Sequence, residues 1–147
     1  MVRAWLSLGA NIGRPEAQLA EAVERLDRHE QISVVNRSRV IATKPWGKTD
    51  QPDFANMAVA VETDLSPQAL LDACLEIERQ MGRERIEVWG PRVIDIDIIA
   101  YERLVQTSVR LTLPHKFAHE RAFVLDPLRE IDPETADWIV ETARAGL

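Results

Sequence analysis

Two aspartates, Asp95 and Asp97, interrupt the apolar run Val93-Ile94-Asp95-Ile96-Asp97-Ile98-Ile99, although aspartate is disfavoured in strands. Strand alternation turns Ile94, Ile96 and Ile98 toward a core and both carboxylates toward the opposite face, about 6 to 7 Å apart along the backbone. Hard oxygen ligands in small number suit Mg²⁺, which completes its octahedron with water and substrate phosphates. In isolation, two solvated charges on an exposed strand face would look the same. The neighbours favour the chemical reading. Arg92 lies three residues before Asp95, and Arg83, Arg85, Arg110, His115, Lys116 and Arg121 all fall in the second half of the chain. Guanidinium groups bind phosphate oxygens in a bidentate way, and carboxylates mixed with arginines balance the charge of a metal-bridged polyphosphate. His115 and His119 stand at i, i+4, but no third histidine or cysteine is near enough in sequence to complete a zinc site.

A second constellation is aromatic and amide-based. Phe54 and Asn56 share one face of a strand, while Ala55, Met57, Val59 and Val61 take the other. An aromatic ring beside a group that both donates and accepts suits a flat heterocycle with a urea-like edge. An asparagine bonded to its own loop beside a core phenylalanine is the plainer alternative. No phosphate-binding Gly-x-x-x-x-Gly-Lys-Ser/Thr loop, dinucleotide Gly-x-Gly-x-x-Gly fingerprint or Gly-x-Ser-x-Gly elbow occurs.

These side chains need a scaffold, and the chain supplies one in order. Val2, Ala4, Leu6 and Leu8 alternate as a strand that ends at Gly9. Pro15 opens an amphipathic helix marked by Leu19, Ala22, Val23 and Leu26. Residues 32 to 43 and 54 to 63 read as strands, joined by a long connector rich in turn formers. Ser66-Pro67 signals a helix start, with Leu70, Cys74, Ile77 and Met81 on its inner face and Gly82 at its end. Residues 83 to 88 read as a mobile loop, 93 to 101 as a strand, and 104 to 106 as a shorter one. A helix is predicted at about 121 to 129, and 131 to 147 as packing. The order β-α-β-β-α-β with C-terminal additions predicts an α+β sandwich with a mostly antiparallel sheet.

With 147 residues, 46% hydrophobic and 29% charged, the chain is expected to fold as a single domain, 1–147. A net charge of −6 argues against a nucleic-acid coat, because such binding neutralises phosphates. Neither a signal peptide nor a membrane span is read from the apolar runs, so a cytoplasmic protein is expected. Cys74, the one cysteine, is expected to be a buried small apolar side chain.

The motifs together resemble the 6-hydroxymethyl-7,8-dihydropterin pyrophosphokinase family over nearly the whole chain. The resemblance is carried by Leu8-Gly9-Ala10-Asn11, Asp50-Gln51-Pro52-Asp53-Phe54-x-Asn56, Trp89-Gly90-Pro91-Arg92-x-x-Asp95-x-Asp97, and Leu111-Thr112-Leu113-Pro114-His115 followed by Arg121-x-Phe123. It implies a ferredoxin-like fold holding ATP and two Mg²⁺ beside a pterin, with the pterin hydroxyl attacking the β-phosphorus and AMP leaving. It implies that Asp95 and Asp97 ligate both metals and, with Arg83 and Arg92, serve catalysis. Arg83, Arg85, Trp89, Arg92, Ile98, Arg110, Thr112, His115 and Arg121 would surround the nucleotide. Phe54 and Phe123 would sandwich the pterin, with Thr43, Asn56 and the backbone of the 44 to 47 loop on its edge and Pro45, Trp46, Trp89 and Asp95 around it. The segment 83 to 92 is expected to order on ATP binding, and the protein to act as a monomer without a nucleic-acid or membrane partner. A pterin- or nucleotide-binding module without turnover remains open. So does an Asp-x-Asp nucleotidyl or glycosyl transferase, which would leave Phe54, Asn56 and Phe123 unexplained.

Overall fold

Strand β1, Val2–Ala10, runs through the middle of the sheet and organises everything around it. In this computed structural model, residues 1–44, 53–82 and 93–146 are described. The elements follow as α1 (Pro15–Arg28), β2 (Ile32–Arg37), β3 (Ile41–Thr43), β4 (Phe54–Thr63), α2 (Pro67–Gln80), β5 (Asp95–Tyr101), β6 (Gln106–Thr107), β7 (Thr112–Leu113), a short 3₁₀ turn, α3 (Ala122–Ile131) and α4 (Pro133–Arg144). The sheet order is β2-β4-β1-β5, with β3 also on β4, and every pairing in it is antiparallel. β6 and β7 form a separate two-stranded ribbon.

The two faces of the sheet are covered differently. Ala4, Leu6 and Leu8 of β1, Met57, Val59 and Val61 of β4, and Ile96 and Ile98 of β5 meet Leu19 and Leu26 of α1 and Leu70, Cys74 and Ile77 of α2. On the other face Trp5, Ala58, Ala60 and Ala100 meet Val124 and Leu128 of α3 and Ala136 and Ile139 of α4. The period-two pattern of the strands and the 3.6-residue pattern of the helices thus agree on one sandwich. Each fully buried leucine or isoleucine contributes about 1.5 to 3 kcal/mol relative to exposure.

Local signals act as their chemistry requires. Ser66 caps α2, its Oγ accepting from the Ala69 amide at 3.2 Å. Gly82 follows α2 at a φ of +79°, where a side chain would be strained. The region expected as one strand from 32 to 43 is instead two, because Ser38 is drawn inward between them. Its amide donates to the Ala58 carbonyl at 2.9 Å and its Oγ accepts from the Ala58 amide at 2.8 Å. The ribbon strand near 104 to 106 sits one to two residues later and pairs with Thr112–Leu113, a partner strand that proline-punctuated sequence did not announce. The C-terminal packing segment is a capped helix, with Asp132 accepting from the Thr135 amide. The expected loop at 83 to 88 and most of the connector after β3 lie outside the described residues.

Candidate active site

Sheet register assembles the site from distant sequence. Gly9 of β1 pairs with Asn56 of β4 on one side and with Asp95 of β5 on the other. Two residues earlier on the same face, Ser7 pairs with Ala58 and with Asp97. Asn56, Gly9 and Asp95 therefore lie in one row, and the residue between the two polar side chains has no side chain of its own. A Cβ at Gly9 would come within 2.7 Å of Asn56 Oδ1, so glycine keeps the middle of this row open. Asn56 is buried and its Nδ2 donates to Thr43 Oγ1, which aligns β3 and β4 at the site.

A cleft opens over that row. Ser7, Gly9, Thr43, Lys44, Phe54, Asn56, Asp95, Asp97, Arg121 and Phe123 line it. Arg121 and Phe123 reach it from the start of α3, which packs on the alanine-rich face of β4. Arg121 is 8% exposed, and its guanidinium stands 5.1 Å from the centroid of Phe117 and 5.6 Å from that of Phe123. Two aromatic faces attract the cation and hold it in one orientation. Permanent positive charge and two carboxylates are thus brought to a single apolar-walled opening.

Asp95 and Asp97 are half-buried while Ile94, Ile96 and Ile98 are buried, so the expected alternation holds across β5. Among the described residues no group of three histidine, cysteine or acidic side chains gathers round a common point. Two carboxylates on one open face fit Mg²⁺, which takes its remaining ligands from water and phosphate. They do not fit an all-protein cage.

His115 lies beside this group. Its amide donates to the Ile99 carbonyl at 2.8 Å, next to an irregularity where β5 slips register against β1. Its Nδ1 accepts from the Phe117 amide at 3.2 Å, which leaves the proton of the neutral ring on Nε2 as a donor. Burial, helped by the Arg121 charge and opposed by Asp95, pushes the imidazole down to about 4. The ring is therefore neutral at ordinary pH.

The remaining expected residues are placed unevenly. Thr112 and His115 line a neighbouring depression with Lys116, His119 and Ile139 rather than the main cleft. Arg110 is paired at 2.5 Å with Asp72 of α2. The Ile98 side chain is in the core, which leaves its backbone on the edge strand for any ligand. Pro45, Trp46, Arg83, Arg85, Trp89 and Arg92 lie outside the described residues. Lys44 lines the cleft at the start of the 44 to 47 loop, whose backbone the resemblance put at the pterin edge. Ser7 lines it without having been singled out by sequence, although a polar residue two positions before Gly9 in an apolar strand was an available signal.

The profile of the 7,8-dihydro-6-hydroxymethylpterin-pyrophosphokinase (HPPK) family matches residues 5–133 of this chain. The chain belongs to the HPPK family. Among its relatives, the 2-amino-4-hydroxy-6-hydroxymethyldihydropteridine pyrophosphokinase of Methylorubrum extorquens is 55% identical over 134 residues, covering 91% of this chain and 85% of the relative. The Haemophilus influenzae protein of the same name is 40% identical over 131 residues, covering 89% and 82%. The HPPK fold also stands out by shape: Plasmodium falciparum HPPK-DHPS with pteroate superposes with a TM-score of 0.71 at 17% identity, over 90% of this chain. This chain spans 39% of that longer protein. The α+β expectation and the family resemblance are both borne out.

Proposed function

We propose that this HPPK-family protein transfers the pyrophosphoryl group of ATP to 6-hydroxymethyl-7,8-dihydropterin in folate biosynthesis. The observation that carries the reading is the row Asn56–Gly9–Asp95 beneath a cleft walled by Phe54 and Phe123. One end of the row offers an amide and aromatic rings to a flat heterocycle, and the other offers carboxylates to the phosphate side.

In this reading Phe54 and Phe123 stack on the pterin, Asn56 and Thr43 hydrogen-bond its edge, and the bare backbone at Gly9 lets the ring approach. Asp95 and Asp97 hold two Mg²⁺, which neutralise polyphosphate charge. Arg121 adds a fixed cation, and His115 presents its Nε2 proton to a phosphate oxygen. The pterin hydroxyl oxygen bonds to the β-phosphorus, the bond from that phosphorus to the α,β-bridging oxygen breaks, AMP leaves with the electron pair, and the hydroxyl proton passes to solvent. Such transfers are catalysed chiefly by positioning and charge neutralisation, so no strong base is required of the chain. Arg83, Arg85, Trp89, Arg92 and Arg110 complete the nucleotide side. The protein acts as one domain and a monomer in the cytoplasm; no described helix is long and apolar enough to cross a membrane.

The test is AMP formation by purified protein with ATP, Mg²⁺ and the pterin, beside an Asp97→Asn variant. AMP that requires both pterin and Asp97 supports transfer at this site, with the variant reduced by at least about 10²-fold, as for loss of a group acting in the transition state. Bound pterin without AMP would establish the binding module instead.

A further inference from the structure

Helix α2 turns Cys74 and Ile77 into the core, and next to them it buries a carboxylate. Glu78 is only 3% exposed. Burying an ionised carboxylate is costly unless partners compensate it, so its partner identifies its role. Glu78 Oε2 accepts a hydrogen bond from the amide of Ile96 at 2.6 Å, and Ile96 is the residue between Asp95 and Asp97. Among the described residues β5 is the last strand of its sheet, paired with β1. An edge strand leaves alternate amides without a ladder partner, and here the side chain of a helix serves as that partner at the single residue separating the two cleft carboxylates.

We infer that Glu78 is a positioning residue for the divalent-cation site: its carboxylate clamps the Ile96 amide, fixing the spacing of Asp95 and Asp97, and adds a negative charge behind them. The inference rests on the assignment of Mg²⁺ to those two aspartates. Charged acceptors make the stronger backbone hydrogen bonds, and a neutral side chain of equal size would pack equally well. The neighbouring Cys74 thiol is held above its ordinary value first by burial, then by the charges of Glu78 and of Asp97. Hydrogen-bonded partners behind metal ligands typically change metal affinity by about 10- to 100-fold when removed.

The test is Mn²⁺ binding, followed by electron paramagnetic resonance, to the full chain with α,β-methylene-ATP. Wild type is compared with Glu78→Gln, Glu78→Asp and Asp97→Asn, and pterin affinity is read separately by fluorescence. Glu78→Gln keeps the shape and loses the charge; Glu78→Asp keeps the charge and withdraws it from Ile96. Each is expected to weaken Mn²⁺ binding by about tenfold, the lower end of the outer-partner range, with pterin affinity unchanged. Wild-type Mn²⁺ affinity in either folded variant overturns the inference, and failure of both to fold assigns Glu78 to stability alone and overturns it too. If Asp97→Asn binds Mn²⁺ as wild type does, the metal assignment itself fails, which is a separate result.

Discussion

At the scale of single residues, the site depends on one side chain that is missing and one that stays neutral. Gly9 separates Asn56 from Asp95, and an added Cβ would meet Asn56 Oδ1 at 2.7 Å. Asn56 is buried and held by Thr43, so it cannot yield without losing its own alignment. Gly9→Ala is expected to cost about 1 to 3 kcal/mol of stability as overpacking. It should weaken pterin binding roughly tenfold, the equivalent of one hydrogen bond. Urea unfolding and fluorescence titration check the two parts separately. His115 makes a prediction about acid. Its folded value of about 4 lies below the ordinary 6.5, so between those limits the unfolded chain binds the proton and the folded one does not. Stability is then lost as pH falls from about 6.5 toward 4. A His115→Gln variant should show a flatter acid limb in urea midpoints across that window, and an unchanged limb would refute the assignment.

Elements decide where these residues stand. β3 reaches the site only because Ser38 breaks the strand that precedes it. With that serine bonded to both backbone groups of Ala58, the chain changes course and brings Thr43 opposite Phe54 and next to Asn56. Ser38→Ala removes the acceptor for the buried Ala58 amide, which is expected to cost about 1 to 3 kcal/mol. It should also weaken pterin binding while sparing nucleotide binding. Denaturant midpoints and separate titrations of the two ligands measure it, and equal loss for both ligands would contradict the placement. Helix α3 has the complementary task. Its small-residue seat on Ala58 and Ala60 lets its first turn bring Arg121 and Phe123 over the cleft.

For the whole molecule, the question is what holds the C-terminal helices against the sheet. Arg103, just beyond β5, lies 5.4 Å from the Trp5 ring and 5.1 Å from the Trp138 ring, and it donates to Thr135 Oγ1 at 3.0 Å. It joins β1 to α4 across the second core. Arg103→Ala should lower stability by about 1.5 to 3.5 kcal/mol, the sum of two exposed cation–π contacts and one hydrogen bond. AMP formation at 25 °C should stay near wild type, because the residue touches nothing in the cleft. A large drop in activity from a folded variant would show that α4 tunes the site.

Much of this protein was determined by sequence alone, wherever a local rule governs. The inward set Ile94, Ile96 and Ile98, the face shared by Phe54 and Asn56, the Ser66 cap and the burial of Cys74 all follow from period and propensity. The motif order also carried the family. What only the tertiary structure decided are relations between strands, because register and edge position are set by the packing of the whole sheet. Composition and spacing do not reveal that Gly9 falls between Asn56 and Asp95, that Ser7 faces Asp97, or that Glu78 reaches the Ile96 amide. The turn of the chain at Ser38 was likewise hidden, since a serine in a Val- and Ile-rich run reads as strand until Ala58 offers it two backbone partners. Alternation selects a face, but three strands must pair before a face becomes a site.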